Sequence, residues 1–370
     1  MKIGCVSEIK RHEYRVGMTP DNVHTYRADG HEVYIQKGAG EGSSFSDEDY
    51  ARQGAIMVPD AGEVWRTCDM IIKVKEPLEE EYDLIKKDQI LYTYLHLAAD
   101  KKLAQALLKN NVKAVAFETV RDSRGALPLL RPMSEVAGRL SVLEGAKYLE
   151  RPMGGMGMLL SGVPGVPKAR VLIVGGGVVG TNACKIACGL GADVTVIDNN
   201  ADRLVYLDDI FGSRIQTLYS QEAVLEKALY EADLVIGAVL IPGATTPKLI
   251  KKKHLAQMKK GSVIVDVAVD QGGCCETTRP TYHDDPVFTV DGVVHYCVAN
   301  MPGAVARTST IALSNATISY GLLIARKGLE WAAKDDSGLA RGINCYQGKM
   351  TCREAAASLG LLYTPLEGLI

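Results

Sequence analysis

Residues 171–180 read Val-Leu-Ile-Val-Gly-Gly-Gly-Val-Val-Gly, and this stretch decides the fold. Val171–Val174 is a short apolar run of the kind that forms a buried strand. It passes directly into glycines at 175, 177 and 180 and then into a helical pattern over 178–190. In a GxGxxG turn between strand and helix, the first glycine makes the tight turn. The second, Gly177, lets the backbone approach a pyrophosphate, and the third, Gly180, lets the helix pack close to the strand. The unpaired N–H groups at the helix start, from Val178 onward, hold the anion. Asp198 ends the next apolar run. An acid there bonds a ribose 2′-hydroxyl and repels a 2′-phosphate, which favours NAD over NADP, whereas Arg203 close by would welcome that phosphate. The competing reading is a glycine-rich turn with a capping aspartate.

Outward from this unit, short β-rich runs alternate with helical patterns, the mark of a parallel α/β architecture. Before it, strands are expected over residues 2–7, 32–36, 69–74, 89–95 and 113–117, with helices over 20–28 and 101–110. A further helix is expected over 134–150, with Ser134 as its N-cap. The glycines and prolines of 153–167 cannot continue it and lead into the new unit. After the fingerprint, strands are expected over 193–197, 214–218, 234–239, 263–267 and 293–298, with helices near 203–211 and 221–230. A long helical pattern starts at Ser309. The tail from Cys345 has too little apolar surface to fold alone and is expected to dock on the first domain.

A chain of 370 residues is long for one core, so two domains are expected. A hydrophobic fraction of 47% and a charged fraction of 23% exclude an intrinsically disordered chain. Forty-two Lys and Arg against 44 Asp and Glu leave no basic excess for phosphate neutralisation, so no nucleic-acid partner is expected. The charged start and the lack of a long apolar run predict no leader, no membrane span and a cytoplasmic protein. Nine scattered cysteines without a CxxC pair indicate neither a disulfide framework nor a metal site.

Ligands of open α/β sheets bind beyond the strand C-termini, and four polar residues fall there. Arg15 lies in the loop after the first strand, Lys75 ends one apolar run, His96 follows another, and Asp270 follows 263–268. A cation there anchors a substrate anion, and an imidazole or carboxylate moves protons. The structural alternatives are solvated charge for Arg15 and Lys75, a structural histidine for His96, and a turn cap for Asp270.

Eight ordered blocks together resemble the alanine dehydrogenase and proton-translocating transhydrogenase family. They are residues 10–20 (KRHEYRVGMTP), 74–77 (VKEP), 94–98 (YLHLA), 133–138 (MSEVAG), 162–166 (GVPGV), the fingerprint, 266–273 (DVAVDQGG) and 300–305 (NMPGAV). The resemblance implies an α/β fold of two Rossmann-like, doubly wound parallel-sheet domains separated by a cleft. Residues 1–130 plus 306–370 would bind substrate and 131–305 would bind NAD. It implies NAD-dependent, reversible oxidative deamination of L-alanine to pyruvate and ammonium, in a homo-oligomer that is commonly a hexamer. By the same resemblance Arg15 and Lys75 bind substrate, and His96 and Asp270 are catalytic. Ser134, Gly175, Gly177, Val178, Gly180, Asp198, Arg203, Ser220, Val239, Val298, Asn300 and Met301 contact the cofactor, and no metal is expected.

Two departures stand out. Ala306 replaces the family's usual proline and is expected to loosen a loop near the cofactor. Cys274 and Cys275, close to Asp270, suggest thiol sensitivity. The alternative functions are a transhydrogenase-type NAD(H)-binding module, a non-catalytic NAD-binding descendant of the enzyme, and a lysine-type opine dehydrogenase.

Overall fold

The structure is a computed structural model and describes residues 1–239 and 246–370. The chain divides into two compact units, Met1–Met133 with Val305–Ile370, and Ser134–Ala304. In the first unit the chain lays down β1 (Lys2–Cys5), β2 (Glu32–Gln36), β3 (Ile56–Val58), β4 (Met70–Ile72), β5 (Ile90–Thr93) and β6 (Lys113–Ala116). The second carries β7 (Arg170–Val174), β8 (Asp193–Asp198), β9 (Ile215–Tyr219), β10 (Leu234–Gly237), β11 (Val263–Asp266), β12 (Val287–Val290) and β13 (Val293–Tyr296). The chain then returns to the first unit with β14 (Ile343–Tyr346) and β15 (Lys349–Met350).

Both sheets share one plan. In the first unit the order is β3-β2-β1-β4-β5-β6, all parallel, extended by antiparallel β14 and β15. In the second it is β9-β8-β7-β10-β11-β13, all parallel, with antiparallel β12 at the edge. Each order reverses direction beside its first strand, which is the doubly wound arrangement. The central strands β4, β5, β10 and β11 are buried at every residue, as sheets covered on both faces require.

Local chemistry sets the helices. Thr19 caps Pro20–Ala28 in a capping box with Asn22, and Pro20 occupies the first turn, where a missing N–H costs nothing. The long helix Ala306–Lys327 lies against the first unit's sheet. There Tyr92 Oη donates to the Thr317 carbonyl at 3.1 Å, and Gly321 leaves room for the Tyr26 hydroxyl. The tail docks on this unit: β14 pairs with β6, and Met350, Ala355 and Ala356 join Trp65, Leu91 and Leu107 in its core.

Three expectations require correction. Ser134 is not an N-cap, because the helix spans Arg131–Tyr148 and admits Pro132 in its first turn. Ala306 is not in a loop but is the buried first residue of its helix. The strands β3, β12, β14 and β15 were not anticipated.

Candidate functional site

In the second unit the glycine turn follows β7 as the fingerprint demands. Gly175 has φ 101°, and a Cβ there would lie 2.8 Å from the Ala238 carbonyl. At Gly180 a Cβ would lie 1.9 Å from the Gly175 carbonyl oxygen, so only glycine lets helix Val178–Gly189 approach β7. Gly177, the helix N-cap, is the opposite case: its Cβ would meet nothing within 4 Å. The space beside this backbone is open, and a nucleotide pyrophosphate fits there.

Asp198, at the end of β8, ties the turn down. Its Oδ2 accepts the Gly176 N–H at 2.6 Å and its Oδ1 the Asn200 N–H at 2.8 Å. Arg203 donates to the Gly176 carbonyl and to Thr181 Oγ1, and its guanidinium stacks 4.5 Å over Tyr206. Its donors serve the glycine turn.

Of the remaining expected cofactor contacts, all but Ser134 follow strands. Ser220 follows β9 and donates its N–H to the Asp198 carbonyl at 2.9 Å. Val239 follows β10 beside Gly175. Val298 bridges to Thr281 beyond β13, and Asn300, at φ 66°, leads into Met301 and the turn Met301–Val305. Ser134 belongs to a different element, the helix Arg131–Tyr148, which packs against Val179 through Gly138.

Asp270 is exposed on the turn Val269–Gln271 that follows β11. That turn is pinned by a residue the sequence did not single out. Buried Asp266 accepts the Ala268 N–H with Oδ1 at 3.2 Å, and the Cys275 N–H (3.2 Å) and Thr278 hydroxyl (2.5 Å) with Oδ2. The expected reactivity of Cys274 and Cys275 does not survive here. Both are fully buried, and burial pushes both thiols above the usual range, which suppresses the reactive thiolate.

In the first unit Arg15, Lys75 and His96 come after the C-terminal ends of β1, β4 and β5, which are neighbours in the sheet. Arg15 is 3% exposed and is held by Glu13, which accepts from its Nε at 2.7 Å and from its Nη2 and backbone N–H. Burial alone would raise the Glu13 carboxyl. The Arg15 guanidinium overrides this, with help from Lys75, and holds it at about 2. Burial likewise pushes Glu76 up, but His96, Lys10 and Lys75 together keep it below the usual carboxylate range. These mutual effects place Arg15, Lys75, Glu76 and His96 in one electrostatic cluster.

His96 adopts φ 47°, ψ 34°, a left-handed conformation rare outside glycine and frequent at functional sites. The Glu118 carboxylate holds it there, accepting the His96 N–H at 2.6 Å and the Leu95 N–H at 3.1 Å. The exposed imidazole stacks on Tyr94 at 6.0 Å between centroids. The cluster therefore combines two buried cations, Arg15 and Lys75, with an exposed imidazole. Among the described residues no group of three or more His, Cys, Asp or Glu side chains is arranged to hold a metal ion, and no helix is long and apolar enough to cross a membrane.

Two family models match the chain: the N-terminal domain of alanine dehydrogenase/PNT over residues 4–137, and its C-terminal domain over 141–353. An alanine dehydrogenase of Staphylococcus haemolyticus is 55% identical over 368 residues, 99% of this chain and 98% of that protein. A solved L-alanine dehydrogenase superposes with a TM-score of 0.94 at 51% identity, covering 97% of this chain and 99% of the other. The transhydrogenase from Sinorhizobium meliloti shares the fold, with a TM-score of 0.82 at 23% identity over 95% of this chain and all of that one. With both domain models matched in order around the two sheets, the chain belongs to the alanine dehydrogenase/PNT family.

Proposed function

We propose that the protein is an NAD-dependent amino-acid dehydrogenase that interconverts L-alanine with pyruvate and ammonium. The observation that carries this reading is the gathering of Arg15, Lys75 and His96 at the ends of three adjacent strands. Full-length similarity to alanine dehydrogenases supports the substrate.

The unit Ser134–Ala304 holds NAD. The open face of Gly177 takes the pyrophosphate, and Asp198 takes the ribose diol, with Ser220, Val239, Val298, Asn300, Met301 and Ser134 around the rest. When bound, the nicotinamide supplies the acceptor for the Cα hydride of alanine. Arg15 and Lys75 hold the substrate carboxylate and polarise the carbonyl or imine, and this orientation makes the transfer effectively unimolecular. As iminopyruvate forms, positive charge grows on its nitrogen, which a carboxylate stabilises. His96 deprotonates the water that adds to the imine carbon. The carbinolamine then collapses to pyruvate and ammonia.

Nine free cysteines suit a reducing compartment, which supports a cytoplasmic location. The exposed apolar side chains Leu159, Val163 and Val166 favour burial against another copy, in keeping with the hexamers common in the family.

The test is NADH oxidation with pyruvate and ammonium, followed by absorbance and repeated with NADPH and with glyoxylate. Turnover that needs both substrates and strongly prefers NADH is expected. Tight NADH binding without turnover would refute the dehydrogenase reading and leave a binding module.

A further inference from the structure

The ladder between β1 and β4 ends at the pair Cys5–Ile72, so the segment carrying Lys75 runs on beyond it. Glu8, in the loop after β1, takes over. Its side chain is 2% exposed, with Oε1 accepting the Val74 N–H at 2.6 Å and Oε2 the Lys75 N–H at 3.4 Å. Oε2 also lies 3.5 Å from Lys73 Nζ, which Glu81 holds from its other side at 2.8 Å. On the far side of Lys75, the Thr93 hydroxyl donates to its carbonyl at 3.0 Å. Both peptide groups flanking the Lys75 Cα are thus tied by side chains from other elements.

We infer that Glu8 is a positioning residue for Lys75, gripping the backbone from which that lysine projects so that its ammonium meets the substrate in one fixed direction. This rests on the proposed role of Lys75 as a substrate anchor. Glu8 itself touches backbone and Lys73 and has no chemical step to perform. A carboxyl group suits the task better than an amide, because its two oxygens accept from both N–H groups, whereas a glutamine offers one acceptor oxygen. The buried Lys73 balances its charge.

The test measures kcat and KM for pyruvate, NADH binding by fluorescence, and Tm for Glu8→Ala, Glu8→Gln, Thr93→Val and Lys75→Ala. Because displacement by about an ångström costs on the order of 10²-fold, Glu8→Ala and Thr93→Val should each lose roughly 10–100-fold in kcat/KM for pyruvate, with NADH affinity unchanged. Glu8→Gln keeps one acceptor for Val74 and should recover part of the loss. The decisive readout is the double variant. If Glu8 acts through Lys75, Glu8→Ala removes little more once Lys75→Ala is present, and Thr93→Val behaves the same way. Losses that multiply in the double variants, or normal turnover in Glu8→Ala, overturn the inference. Normal pyruvate turnover in Lys75→Ala alone overturns instead the substrate-anchor role on which it rests. Should Glu8→Ala fail to fold, Thr93→Val tests the same grip from the other side.

Discussion

Replacing Gly180 and Gly177 by alanine in turn separates what the fold requires from what the nucleotide requires. At position 180 the new methyl would stand 1.9 Å from the Gly175 carbonyl oxygen, 3.0 Å from its carbon and 3.3 Å from Ile173 Cγ2. Two of these atoms are backbone and cannot swing away, so the helix Val178–Gly189 must lift off β7. Overpacking of this kind costs about 1–3 kcal/mol, and the rigid neighbours put Gly180→Ala at the upper end. For a unit of this size that lowers Tm by about 5–10 °C. At position 177 the methyl meets no atom within 4 Å, and φ −62° suits alanine, so Tm should hold. The methyl instead fills the space where the pyrophosphate approaches. Losing one charge-assisted hydrogen bond is worth about 1.5–3 kcal/mol, or roughly 10–100-fold in the Kd for NADH. Thermal melts by circular dichroism and NADH fluorescence titration read the two effects separately. Gly177→Ala with undiminished NADH affinity, or Gly180→Ala melting with the parent protein, refutes the respective role.

The other predictions concern the first unit and the cysteines. His96→Ala should lose about 10²–10⁴-fold in kcat while binding NADH normally, as removal of a general base predicts; single-turnover and steady-state rates check it. Burial, with Glu13 and Glu81 nearby, pushes Glu8 up to about 7 against the pull of Lys73. Between its ordinary value and 7 the folded state holds more protons than the unfolded one, so this residue's contribution to stability falls as pH rises through that window. Glu13, held at about 2, acts oppositely: its contribution is complete above its ordinary value of 4.5 and is lost as pH falls toward 2. Urea midpoints from pH 3 to 8 should therefore show a decline between about pH 5 and 7 that Glu8→Gln lacks. Iodoacetamide should leave Cys274 and Cys275 unmodified in the folded protein, with partly exposed Cys188 reacting first; peptide mass mapping decides this.

The central strands were legible because β4, β5, β10 and β11 are unbroken apolar runs, and such runs have few other fates in an alternating α/β pattern. The strands missed lack that signal. β3 has three residues with an exposed Ile56, and β12 is a half-buried edge. The four buried residues of β14 join the sheet by pairing with β6, far away in sequence, while their local partner β15 has only two residues. The helix start at Arg131 was misplaced because Ser134 makes a good cap on paper, whereas Pro132 is equally at home in a first turn. Among the candidate residues, Arg15, Lys75, His96 and Asp270 showed themselves by following apolar runs. Glu8, Glu118 and Asp266 did not, because each works mainly by accepting backbone N–H groups. For Glu8 and Val74 these lie 66 positions apart, and backbone groups carry no residue-type signature. Such carboxylates become visible only once the strands are assembled.

The passage of the chain out of the first unit at Met133 and back at Val305 has a consequence for biosynthesis. Ser134–Ala304 is one continuous stretch, so its seven strands are all available once residue 304 has left the ribosome. The first unit is different: the free edge of β6 waits for Ile343–Tyr346, and its core waits for Met350, Ala355 and Ala356. Throughout that interval an unpaired strand edge is open to association with other nascent chains. The fold carrying the glycine fingerprint is therefore complete before the one carrying Arg15, Lys75 and His96, and truncating the last thirty or so residues damages the unit made first rather than the one made second.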